Sequence, residues 1–129
     1  MRAIKFRGQD RKTNEWFYGN LYDKDNQGRT HICTTSRGSL DVIPDTVGQF
    51  TGLYDKNGKE IYEGDIVREK IKRARKDGDL LQICFDDCEW CGKNNVGAST
   101  SLYLLATYHR LEVIGNIHDN PELLKGGTE

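Results

Sequence analysis

Hydrophobic residues along this chain recur mostly at every second position, in short runs divided by polar stretches rich in glycine. That pattern belongs to short strands with one buried face. In "RAIKFRG", Ile4 and Phe6 share one face and Lys5 and Arg7 the other. "EWFYGNLYD" sets Trp16 and Tyr18 against Phe17, Gly19 and Leu21; both faces are apolar near its start, so the strand is expected to be covered on both sides. The polar "GQDRKTN" between these runs reads as a hairpin loop, and "DKDNQGR" as a second loop before the β-branched run "THICTTS". In "LDVIPDTVGQF", Pro44 has no N–H to give a central ladder, and Asp45, Thr46 and Val47 read as a short turn.

The stretch "QFTGLYDKNGKEIYEGDIV" raises a choice of register. A two-residue Asn57-Gly58 turn would oppose Lys56 to Lys59 and Asp55 to Glu60, both like-charge pairs. A three-residue loop, with Gly58 left-handed, places Asp55, Asn57 and Gly58 at the preferred positions of a type I turn. It also sets Asp55 opposite Lys59 and Leu53 near Ile61. This register is the prediction. Gly64-Asp65 then turns the chain into a new strand, "DIVREKIKR". The carboxylates here serve turns and pairing, and no nucleophile–base pair accompanies them.

"IVREKIKRARKDGDLLQICFDD" has some helical spacing at Val67, Ile71 and Ala74. The Asp77-Gly78-Asp79 turn signal and the alternation after it favour two strands joined by a charged, exposed loop. Ser101 to Tyr108 reads as β-rich, "LEVIGNIHD" as a short strand and "PELL" as a last helical turn. No internal repeat, linker or low-complexity segment is evident.

The 129 residues fit one domain, 1–129, with residues 125–129 expected to be flexible. Fourteen glycines against two prolines agree with many turns and few long helices. A net charge of -1 creates no global attraction for nucleic acid or anionic membrane. No stretch approaches a membrane span, and the N-terminus lacks the apolar core of a signal peptide, so the expected location is cytoplasmic. Four cysteines in that compartment are expected to be reduced or metal-bound.

Three motifs, "AIKFRGQD", "TVGQFTGLYDKNGKEIYEGDIV" and "EVIGNIHDNPEL", together resemble the YopX family, small proteins of Bacillus-type prophages and phages. The resemblance runs from residue 1 to about 124 and is weakest between roughly 69 and 105. It implies an all-β or β-dominated domain with several sheets, mixed sandwich-like and barrel-like features and one or two short helical turns. It also implies homo-oligomerisation. It implies no reaction, and supplies no catalytic residues.

Two constellations carry chemistry. "CFDDCEWCGK" contains Cys88-x-x-Cys91-Gly92, the form of a zinc knuckle. Cys84 or Cys33, with His31, would complete a tetrahedron, although a second C-x-x-C or H-x-x-H pair is missing. "REKIKRARK", residues 68–76, carries six positive charges and one negative; Lys70, Lys72, Arg73, Arg75 and Lys76 are the candidate phosphate contacts. Flanking acids at Asp77, Asp79, Asp86 and Asp87 dilute that field, and a solvated edge segment is the simpler reading. The three histidines stand apart in sequence, with His118 expected to engage locally beside Asn116 and Asp119. The expected function is therefore non-enzymatic: homo-oligomeric assembly and binding of a macromolecular partner, without a cofactor. Nucleic-acid binding through 68–76, or a zinc-stabilised module at Cys84, Cys88, Cys91 and Cys33, are the alternatives.

Overall fold

The computed structural model describes residues 4–70, 80–86, 88–94, 99–103 and 110–125. Their fold is β-dominated, built from antiparallel strands with a short 3-10 turn at Pro44–Thr46, helical residues at Leu102 and Tyr103 and a helical turn at Glu122–Lys125. The chain divides into two compact units, Met1–Gly52 and Leu53–Glu129.

The first unit contains β1 (Phe6–Gln9), β2 (Trp16–Tyr22), β3 (Thr30–Thr34), β4 (Gly38–Val42) and most of β5 (Gly48–Tyr54). Their order in the sheet is β4-β3-β2-β1-β5. The sheet curls: an isolated bridge joins Asp10 to Val42. Beside it, Ile43 N–H donates to Gln9 O at 2.9 Å and Arg11 N–H to Asp41 O at 3.0 Å. The result is barrel-like without closing into a barrel. Ile32 and Val42 are fully buried, and glycine at position 8 lets β1 approach them. A Cβ there would lie 3.1 Å from Val42 and 3.2 Å from Ile32. A Cβ on Gly19 would collide with the Cys33 carbonyl of the neighbouring strand. The Pro44–Thr46 turn is pinned by Thr46, whose hydroxyl donates to Ile43 O at 2.6 Å and accepts from Gln9 N–H at 2.9 Å. Arginines cover both faces of β2 at its start. Arg7 lies 4.6 Å over the Trp16 ring and Arg37 5.5 Å over Phe17.

The second unit opens with the end of β5 and β6 (Glu60–Tyr62), followed by β7 (Asp65–Lys70), β8 (Leu80–Asp86), β9 (Glu89–Lys93), β10 (Ser99–Ser101) and β11 (Arg110–Asn116). Strands β7 to β11 form a sheet in the order β10-β9-β8-β7-β11. Ile61, Val67, Leu81, Ile83, Leu102 and Leu111 form its core, with Leu53, Trp90 and Val113 packed against them. The predicted strands on either side of the charged loop are β7 and β8, which pair antiparallel; residues 71–79 between them lie outside the described residues. The expected β-rich run Ser101–Tyr108 is corrected at Leu102 and Tyr103, and its residues 104–108 lie outside the described residues. β10 ends at Ser101, and Leu102 and Tyr103 are helical. Leu102 is fully buried in the core while Tyr103 is exposed, so packing overrides the β propensity of these residues.

The loop after β5 adopts the predicted three-residue register. Asp55 N–H donates to Lys59 O at 2.8 Å, Gly58 N–H to Asp55 O at 3.0 Å, and Gly58 has φ +83. Asp55 Oδ1 accepts from the N–H groups of Asn57 at 2.8 Å and Lys59 at 2.9 Å. Its Oδ2 reaches β11 and accepts from Val113 N–H at 3.0 Å. Lys56 N–H donates to Leu111 O at 2.8 Å, so the loop occupies backbone groups of β11. Two residues past β6, Gly64 N–H donates to Ile83 O and Gly64 O accepts from Ile117 N–H, both at 2.9 Å. Asp65 Oδ2 closes this turn on Tyr62 N–H at 2.7 Å.

The same turn device recurs in the first unit. In Asp25-Asn26-Gln27-Gly28-Arg29, as in Asp55-Lys56-Asn57-Gly58-Lys59, the aspartate carboxylate holds the N–H groups two and four residues ahead. Each loop also ends its type I turn on a left-handed glycine.

Two outcomes test these contacts. Gly19→Ala is expected to lower stability in urea unfolding by about 1–3 kcal/mol, because a backbone carbonyl has to move. Asp55→Asn is expected to cost roughly 1–3 kcal/mol at pH 7. Burial alone would raise the Asp55 pKa, but hydrogen bonds from Val113, Lys59 and Asn57, with the Lys59 charge, bring it below the ordinary value. Its stabilisation is therefore complete above about pH 4 and is lost as pH falls through the lowered folded value. The variant's stability should fall less steeply in that acid range than the parent's.

Candidate functional site

The β8–β9 hairpin carries three of the four cysteines. Its register opposes Asp86 to Glu89, Phe85 to Trp90 and Cys84 to Cys91. Cys84 and Cys91 thus lie side by side, with Sγ atoms 3.4 Å apart. Cys88 sits in the turn, exposed, with φ +65. Pairing across the hairpin, rather than the C-x-x-C spacing along it, decides which thiols meet. Cys33 is on β3, in the first unit. Among the described residues no three His, Cys, Asp or Glu side chains are grouped to hold a metal ion.

Cys91 is buried at 2% exposure and Cys84 is half-buried. Burial, followed by the hydrogen bond and charge of Cys91, pushes the Cys84 thiol up to about 11. Lys93 acts in the opposite direction on Cys84, while its ammonium pairs with Asp86 Oδ2 at 2.9 Å. That carboxylate, first by hydrogen bonding and then by charge, raises the Lys93 pKa. Phe85 and Trp90 meet edge to face, with centroids 5.0 Å apart.

The first unit holds a second cluster, which the sequence reading missed because it treated the histidines as isolated. His31 Nε2 lies 2.8 Å from Asp25 Oδ2, and the carboxylate accepts the hydrogen. Asp25 also accepts Arg29 Nε–H at 3.0 Å. The His31 hydrogen bond, then the Arg29 N–H, hold the Asp25 carboxyl well below the usual carboxylate range. The available signal was hairpin pairing: a loop closed by Asp25 and Arg29 puts His31 opposite Tyr22, and the two rings stack at 6.1 Å. Nearby, an open cleft of about 360 Å³ has apolar walls at Leu21, Pro44 and Val47 and a rim at Asp23 and Lys24. Thr30 in this cleft donates its hydroxyl to Asp23 Oδ1 at 3.1 Å. Its lining contains no histidine or cysteine.

The His118 backbone N–H donates to Asn116 Oδ1 at 2.9 Å, in the turn after β11. Of the basic segment, Lys72, Arg73, Arg75 and Lys76 lie outside the described residues, and Lys70 is the last residue of β7. On β2, Tyr18 and Tyr22 project from one face at 46% and 54% exposure, with exposed Asn20 between them.

Differential alkylation checks the cysteine geometry. With iodoacetamide on the folded protein at pH 7, Cys88 is expected to react first and Cys91 last. Cys84 labelling should rise about tenfold per pH unit, as its thiolate fraction does. Equal labelling of Cys91 and Cys88, read by peptide mapping, would contradict the arrangement.

The comparisons with known proteins agree with the fold. Protein EF1440 from Enterococcus faecalis has a solved structure that matches with a TM-score of 0.62 at 29% identity, over 96% of this chain and 99% of that one. The structure of protein yopX from Bacillus subtilis matches with a TM-score of 0.62 at 20% identity, over 98% of each chain. No curated protein matches. The family model described as YopX protein matches residues 5–125, which include the turns at Asp25, Asp55 and Gly64 and the cysteine hairpin. The chain belongs to the YopX family.

Proposed function

We propose that this is a non-enzymatic protein of the kind carried by phages and prophages, working in the cytoplasm by assembling with copies of itself and binding a macromolecular partner. The observation that carries this reading is the aromatic face of β2. Tyr18 and Tyr22 stand four residues apart on the same side of the strand and are about half exposed. Tyrosine joins a broad apolar surface to a polar tip and suits interfaces. Stacking on His31 already restrains the Tyr22 ring, which reduces the entropy lost when a second surface covers it. Among the described residues no helix is long and apolar enough to cross a membrane.

Native mass spectrometry of the untagged protein, with a concentration series, tests this proposal. A discrete multimer is expected, and Tyr18→Ser/Tyr22→Ser should shift it to monomer while the circular dichroism spectrum stays unchanged. A parent protein that remains monomeric at every concentration would overturn the assembly reading. A multimer indifferent to the double substitution would remove β2 from the interface. Fluorescence polarisation with short DNA and RNA at two salt concentrations separates the nucleic-acid alternative, which requires salt-dependent binding.

A further inference from the structure

Strand register places two thiols where a covalent bond between them needs little movement. Cys84 and Cys91 are direct partners across β8 and β9, and their Sγ atoms are 3.4 Å apart. Directly opposed residues in an antiparallel pair have Cα atoms about 4.5–5.5 Å apart, inside the range of roughly 4.4–6.8 Å that a disulfide bridges. Closing the bond requires the sulfurs to approach to about 2.05 Å, a change that side-chain rotation supplies in large part. The two thiols also differ in access. Cys84 is half-buried and Cys91 is buried, so one meets a reagent from solution and the other is held behind it. The exposed Cys88, nearer in sequence to Cys91, lies in the hairpin turn, and the residue opposed to Cys91 is Cys84.

We propose that Cys84 and Cys91 form a dithiol modification site that a small-molecule disulfide, such as oxidised glutathione, converts to an intramolecular disulfide. The Cys84 thiolate attacks one sulfur of the reagent, its S–S bond breaks, and the departing glutathione thiolate takes up a proton. The Cys91 thiolate then attacks Cys84 Sγ and expels the second glutathione. Overall, two protein thiols lose their hydrogens, one S–S bond forms in the protein, and the reagent is reduced to two thiols. Burial, then the hydrogen bond and charge of Cys91, disfavour the Cys84 thiolate; Lys93 offsets part of this through its charge, and Asp86, paired with Lys93, opposes Lys93, so the attack quickens as pH rises. The product staples β8 to β9 across their existing ladder. A metal bridge would need further ligands, whereas this step needs only the two sulfurs that the register supplies.

The test uses the full chain, incubated with oxidised glutathione, quenched in acid and analysed by intact mass and peptide mapping. The expected product contains a Cys84–Cys91 link, formed with loss of two hydrogen atoms; a separate glutathione adduct on exposed Cys88 is recognised by its own mass increment. Dithiothreitol should restore all four thiols. The Cys33→Ser/Cys88→Ser variant should form the same link, and Cys84→Ser, altered at the more accessible partner, should not. A stable glutathione adduct on Cys84 with Cys91 still reduced would overturn the proposal. So would a link that joins Cys88 to Cys91.

Discussion

The second unit depends on one carboxylate. Asp55 is 7% exposed, yet it is charged, and burying a charge is costly unless its lone pairs are filled. Three backbone N–H groups fill them: two lie in its own loop, while the third is Val113 on β11, 58 positions along the chain. One side chain thus shapes a turn and attaches that turn to the strand beside β7. With Lys56 bonded to Leu111, the loop occupies backbone groups that an open edge would present to other chains. Gly64 works in the same way, with its N–H on β8 and its carbonyl accepting from Ile117. The motif that identifies the family therefore codes a set of backbone attachments.

The first unit is built from the same chemistry. Asp25 organises its loop as Asp55 does, and in place of a distant backbone N–H it holds the His31 ring and the Arg29 guanidinium. Asp10 begins another loop, accepting from Lys12 N–H and Thr13 N–H. Short carboxylates at loop entrances compensate for a small core: Ile32 and Val42 are fully buried, and glycines let the strands close around them. Local hydrogen bonding reduces the conformational freedom that each hairpin must otherwise lose on folding.

The surface chemistry follows from the ladders. Pairing selects Cys84 as the partner of Cys91, sets His31 across from Tyr22, and turns Tyr18, Asn20 and Tyr22 to one side. The cysteine pair and the His31–Tyr22 pair each depend on a turn of definite length, whereas the Tyr18, Asn20 and Tyr22 face follows from strand alternation alone. Had the hairpin after Asp86 been one residue longer, Cys91 would have faced a different neighbour.

Much of the fold was legible in the sequence. The period of two, the Asp55 register with its left-handed Gly58, the Pro44 turn and the two strands around the charged segment all rest on local rules. Like-charge pairing, the missing proline N–H and the conformational freedom of glycine act within a few residues, so the local sequence is enough to read them. What lay beyond it needed contacts between distant positions. The helical Leu102 belongs to the core because packing there outweighs strand propensity. The second bond of the Asp55 carboxylate waits on the arrival of β11. The cysteine pair was hidden because spacing along the chain suggested Cys88 and Cys91, whereas strand register joined Cys84 to Cys91. Sequence determines turns and alternation through short-range sterics and hydrogen bonding; tertiary structure decides partners, because only a completed ladder brings remote side chains within bonding distance.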